Sequence, residues 1–204
     1  MASASVSAEA AHAPAAPAAG KPLEFEIVPR KGLPIVGLIL IVLVVVVAIN
    51  EEWPLMFLHV VAGASWTIID LFLGFVLGPI LGSLSIPARI ELTTKLMPKM
   101  VLIMPTAVAV TLTAGWQLAT KLGTNLTGYH YHGWVVASFI VVGAMAVIAL
   151  GLLEPANIAV LTELKKPRPN PAVIERLMKR FIYTAGATGL MQVATFVIMT
   201  RLAT

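Results

Sequence analysis

Two groups of residues in this chain have types and spacings suited to chemistry. The first is His59, Gly63, Trp66, Asp70 and Gly74, which follow one another at steps of four, three, four and four residues. At about 100° per residue, these steps fall on one narrow face of a helix. An aspartate at the centre of an apolar span costs about 2.5–3.5 kcal/mol on insertion scales. Asp70 is therefore expected to face a bundle interior, a water-filled cavity or a partner subunit, with Trp66 one turn away on the same face. Two roles fit such a carboxyl: a station for protons or a cation, or a structural group hydrogen-bonded to Thr or Ser on a neighbouring helix.

The second group is histidine. His59 lies near the start of its apolar segment, about 8 Å deep at about 1.5 Å per residue. His130 and His132 flank Tyr131 just before another apolar run. The charge pattern described below directs all three toward the same membrane interface. Neutral imidazole is a common metal ligand and a common axial ligand of haem iron, so His59 with His130 or His132 forms a candidate pair for haem b or copper. The alternative is a chain without a cofactor, in which His and Tyr are ordinary interfacial residues. The chain has no cysteine, which excludes disulfides, thiolate metal sites and covalent c-type haem attachment. No Walker loop, G-x-S-x-G elbow, H-E-x-x-H or C-x-x-C motif occurs, so no hydrolase, nucleotidase or thiol-redox activity is assigned.

The elements that must position these residues follow from composition. Of 204 residues, 58% are hydrophobic and only 12% charged, against about 45–50% and about 25% in soluble domains. Apolar segments occupy 33–49, 54–81, 100–120, 133–153 and 181–199, and each spanning helix needs about 20 such residues. The predicted fold is all-α, a polytopic membrane bundle of five transmembrane helices over residues 32–204. Residues 1–31, rich in Ala and Pro at their start, are expected to form a disordered cytoplasmic tail. Gly78-Pro79 predicts a break in the second helix, and the fourth is expected to bend at Pro155. Gly74, Gly78 and Gly82 form a doubled G-x-x-x-G that suits close helix packing, either within the chain or with a second one.

Twelve of the fourteen Lys and Arg residues fall before the first apolar segment, between the second and third, or between the fourth and fifth. By the positive-inside rule these parts are cytoplasmic, which puts the N-terminus inside and the C-terminus outside, with Lys121 and Arg201 on the outer face. The net charge of +4 is thus a topology signal, not a nucleic-acid-binding surface. Glu154 is expected at the cytoplasmic interface, paired with Lys or Arg of the following loop. Residues 171–180 suit a short interfacial helix. Threonines of the third helix are candidates to reach Asp70.

The run Phe57-Leu58-His59-Val60-Val61-Ala62-Gly63-Ala64-Ser65-Trp66, with Met104-Pro105-Thr106 and Thr113-Ala114-Gly115-Trp116, resembles a family of bacterial predicted integral membrane proteins of unknown function. That family is similar in pattern to the CopD copper-resistance proteins and the HemJ-type protoporphyrinogen oxidases. The resemblance implies a haem or metal contact at His59. The leading expectation is a plasma (inner) membrane protein that binds haem b or a metal near its outer face and serves electron transfer or metal handling. The alternatives are a cofactor-free accessory or assembly subunit of a larger membrane complex and a small proton-coupled transporter. The expected partners are the lipid bilayer and either other membrane subunits or further copies of this chain.

Overall fold

The computed structural model describes residues 23–122 and 132–202. Residues 1–22 of the tail expected over 1–31, and His130, lie outside the described residues, as does the side chain of His132. All regular structure among the described residues is helical. Five helices are long and apolar enough to cross a membrane: α1 (Arg30–Ile49), α2 (Glu52–Ser83), α3 (Ile86–Lys121), α4 (Gly133–Leu164) and α5 (Pro171–Leu202). The chain is a multi-pass membrane protein in architecture. His132 is helical and precedes α4 directly.

Local signals account for the boundaries. α1, α3 and α5 carry proline in the first turn or at the first position, where the missing N–H has no intrahelical partner to lose. α1 stops at Asn50, whose left-handed backbone (φ 55°) ends the helix. Two prolines inside helices have a different effect. Pro79 follows a π-helical segment, Phe72–Leu77, and Pro155 follows another, Ala149–Leu153. A proline ring displaces the carbonyl four residues back and withdraws one donor, and a wider turn absorbs the resulting mismatch. The breaks expected at Gly78-Pro79 and Pro155 are therefore π-helical turns within continuous helices.

α2 packs on α3 and α5, and α4 packs on the same two helices, so these four form a ring, with α1 outside against α3. Cross-contacts show the antiparallel register: His59 meets Thr111, Asn157 meets Met97, and Asp70 meets Thr188. The core runs along the ring axis through Trp66, Leu73, Met97, Met104, Val108, Met145, Leu153, Val160 and Phe181. α1 buries only Leu43, leaving an apolar helix that is otherwise covered by lipid in a bilayer.

The helices exceed the predicted apolar segments at one end of the bundle, as the sequence suggests for the fourth, whose helix reads on past Pro155 to about residue 161. α3 begins at Ile86, α4 continues to Leu164, and residues 171–180 are the first turns of α5, not a separate interfacial helix. These turns are amphipathic and carry most of the basic residues, so hydropathy alone stops short of them. Ordered chain also begins before residue 32. Phe25 and Ile27 pack against the core, and the Lys165 ammonium lies 5.3 Å from the centre of the Phe25 ring.

Candidate functional site

The stripe on α2 faces inward along its length, first toward α3 and then toward α5. At the His59 end, Nδ1 lies 2.9 Å from the carbonyl oxygen of Thr111. A carbonyl only accepts, so Nδ1 carries a proton, and in the neutral ring the lone pair is on Nε2. The ring abuts Gly115: a Cβ there would stand 2.6 Å from His59 Cε1 and Nδ1. Gly115 is therefore part of the site, because any larger residue would push the imidazole off the Thr111 carbonyl.

His59 lines an interhelical cavity of about 610 Å³ bounded by α2, α3, α4 and α5. Its walls are mainly apolar and include Met56, Trp116, Val135, Phe139 and Met199. Its polar lining includes His59, Thr67, Thr111, Ser138, Gln192 and Thr195. The hydroxyls of Thr67, Thr111, Ser138 and Thr195 each donate to a carbonyl one turn back on their own helix, which leaves oxygen lone pairs toward the space. Leu122 and Leu202 lie at its outer rim, next to Lys121 and Arg201 in sequence.

Trp66 and Gln192 close the inner end of this cavity, and Asp70 lies behind them, fully buried. Asp70 Oδ2 accepts from Gln192 Nε2 at 2.8 Å and from Thr188 Oγ at 3.0 Å. The partners come from α5, whereas the sequence suggested threonines of α3. Thr106 and Thr111 instead bond to carbonyls of their own helix. Thr188 Oγ also stands 3.0 Å from the carbonyls of Thr184 and Ala185. Its single proton can serve either the carboxylate or those carbonyls, so the site accommodates an ionised and a protonated Asp70. The Trp66 indole N–H faces the same carboxyl. Trp66 Nε1, Asp70 Oδ1 and Gln192 Oε1 are buried without a hydrogen-bond partner of normal geometry.

Small residues make this meeting possible. A Cβ on Gly74 would stand 2.5 Å from Gly186 Cα, and one on Gly189 would stand 2.9 Å from Leu71 Cδ2. Gly78 faces Ile182, while a Cβ on Gly82 would meet nothing within 4 Å. The neighbours of Gly74 and Gly78 thus lie on α5 of the same chain. Gly186, Thr188, Gly189 and Gln192 were absent from the sequence-derived candidates. Their signal is a threonine and a glutamine one turn apart in an apolar span, set among glycines.

Glu154 also departs from expectation. It is 9% exposed, and neither carboxylate oxygen has a hydrogen-bond partner. Glu163 makes the expected kind of loop contact instead, bonding Lys166 and the Asn170 backbone N–H. Among the described residues, no group of three or more His, Cys, Asp or Glu side chains is placed to hold a metal ion. Compared with known proteins, the chain matches no family model, no curated protein and no solved structure.

Proposed function

We propose that this chain is a multi-pass protein of the plasma (inner) membrane that holds haem b in the cavity through His59 and acts in electron transfer. The carrying observation is the fixed tautomer of His59. Its Nδ1–H is committed to a backbone carbonyl, an arrangement that orients metal-ligating histidines and raises their basicity, and its Nε2 lone pair is available beside a largely apolar cavity. About 610 Å³ falls within the usual range of cofactor pockets, about 300–1,000 Å³. Lys121, whose ammonium donates to the Asn50 carbonyl, and Arg201 place positive charge at the same end of the bundle. Haem, when bound, supplies one-electron chemistry. Of the chain's own residues, His59 would hold the group through Nε2 and the largely apolar walls would surround it. His132, three residues before the cavity-lining Val135, and His130 are the candidate second ligands, with copper as the alternative occupant.

The orientation is N-terminus inside and C-terminus outside. It is supported by the segregation of Arg89, Lys95, Lys99, Lys165, Lys166, Arg168, Arg176, Lys179 and Arg180 to the end of the bundle opposite Lys121 and Arg201. The test is haem content per chain in the purified protein and in His59→Ala. The expected result is about one haem in the former and loss of haem from the variant, with helical content unchanged. Equal content in both would remove His59 from the site.

A second reading, a cofactor-free subunit of a larger complex, draws support from exposed small residues. Gly37, Gly82, Gly143 and Gly151 have no neighbour within 4 Å of their Cβ positions, so these surfaces admit close approach by another helix. Native purification that yields stoichiometric partners and no haem would favour it.

A further inference from the structure

We propose that Asp70 and Glu154 are two stations of a proton path along the bundle axis, running from the His59-lined cavity to the basic end of the molecule. The path uses groups on which the haem reading does not depend.

The two carboxyls sit on opposite helices of the ring, with Glu154 about one turn nearer the basic end than Asp70. Asp70 of α2 bonds Thr188 and Gln192 of α5, and Thr195 of α5 reaches Met145 of α4. In that antiparallel register, Glu154 is level with Gly186. At about 1.5 Å per residue, this is about 6 Å inward from the midpoint between Thr188 and Gln192. Met97, which meets Asn157, places Glu154 level with Met100, at the inner end of the apolar part of α3.

Neither carboxyl is neutralised by a cation. The side chains acting on Asp70 are Thr188, Trp66 and Gln192, and the one acting on Glu154 is Asn157; all are uncharged. The ion pairs at the basic end, Glu91 with Lys95, Glu163 with Lys166 and Glu175 with Lys179, join other residues. A buried carboxyl without a counter-ion is costly unless it is protonated or hydrated.

Each carboxyl also belongs to a trio of buried polar groups with unmet hydrogen-bonding capacity. Asp70 Oδ1 goes with Trp66 Nε1 and Gln192 Oε1, and the two oxygens of Glu154 go with Asn157 Oδ1. A buried water takes about three such partners, so the Asp70 trio, with one donor and two acceptors, suits one water, whereas the three Glu154-side oxygens, all acceptors when the carboxylate is ionised, call for more than one. Both carboxyls also adjoin a π-helical segment, Phe72–Leu77 or Ala149–Leu153, a feature frequent at functional sites. Thr188 adds a hydroxyl that can turn between the carboxyl and its own backbone, serving either protonation state.

In transfer, the O–H bond of protonated Asp70 breaks as a first water accepts its proton, a chain of hydrogen-bonded waters passes one proton along, and the last water forms a new O–H bond on the Glu154 carboxylate, which then releases its proton to water at the basic end. Asp70 is left ionised until it takes a proton from the cavity side. No electron moves, and the driving force is the proton gradient or membrane potential.

The experiment uses the full chain in liposomes with an entrapped pH dye, under a potassium diffusion potential, in sodium-free buffer. The expected proton flux is about tenfold above protein-free vesicles and falls close to their level in Asp70→Asn and Glu154→Gln, while Asp70→Glu and Glu154→Asp keep a substantial part of it. A carbodiimide, which modifies protonated carboxyls in apolar surroundings, is expected to label Asp70 and Glu154 of the unmutated protein and block the flux, a readout that does not depend on the variants folding. The proposal is overturned by unmutated protein that conducts no better than empty vesicles, by folded Asn and Gln variants that conduct normally, by flux that survives complete labelling, or by conduction only when sodium is added. Haem content measured on the same samples separates this outcome from that of the haem reading, since neither substitution touches His59.

Discussion

Gly74 and Gly186 bring α2 and α5 into backbone contact: a Cβ on Gly74 would stand 2.5 Å from Gly186 Cα. This approach, one turn from Asp70, puts the side chains of Thr188 and Gln192 within hydrogen-bonding reach of the carboxyl. Without a bilayer-wide hydrophobic force to press helices together, such small-residue contacts set the spacing.

Gly74→Ala should therefore separate the two helices and cost about 1–3 kcal/mol, the usual range for overpacking. Gly82→Ala is the matched control, because its Cβ enters open space, and it should be neutral or slightly stabilising, within about 1 kcal/mol. Thermal unfolding in detergent, followed by helical signal, distinguishes the two.

Gly115→Ala should imitate the loss of His59. The added methyl meets the imidazole at 2.6 Å and forces it from the Thr111 carbonyl, freeing the tautomer that presents Nε2. Haem content of Gly115→Ala is expected to approach that of His59→Ala. Gly63→Ala, whose Cβ would rest 3.4 Å from Thr111 Cγ2, should retain most of it.

Thr188→Val removes one of the two donors to Asp70 Oδ2 and leaves a buried acceptor less satisfied, at a cost of about 1–3 kcal/mol. Thr188→Ser keeps the hydroxyl and gives up one buried methyl, at a cost of about 1 kcal/mol. Comparing their unfolding midpoints tests the hydrogen bond separately from the side-chain volume.

Much of the architecture was legible because lipid imposes a simple rule. Five runs of apolar residues, punctuated by charge, correspond to five helices, and an aspartate in the middle of one could only turn inward. The partners of Asp70 were not legible in the same way. Nothing local to α2 says which helix faces it, and Thr188 and Gln192 announce themselves only as polar residues in an apolar span. The burial of Glu154 was not legible because α4 continues as helix past the end of its apolar run, to Leu164, and its neighbours there, not the following loop, enclose the carboxyl. The role of Gly115 depends on a ring from another helix, which spacing within α3 does not reveal.

The most direct test of the account is the dithionite-reduced minus oxidised absorption spectrum of the full-length protein purified from membranes. The account predicts a Soret band and a sharp α band of b-type haem, both lost in His59→Ala. A featureless spectrum from a folded preparation with no stoichiometric iron or copper would contradict it.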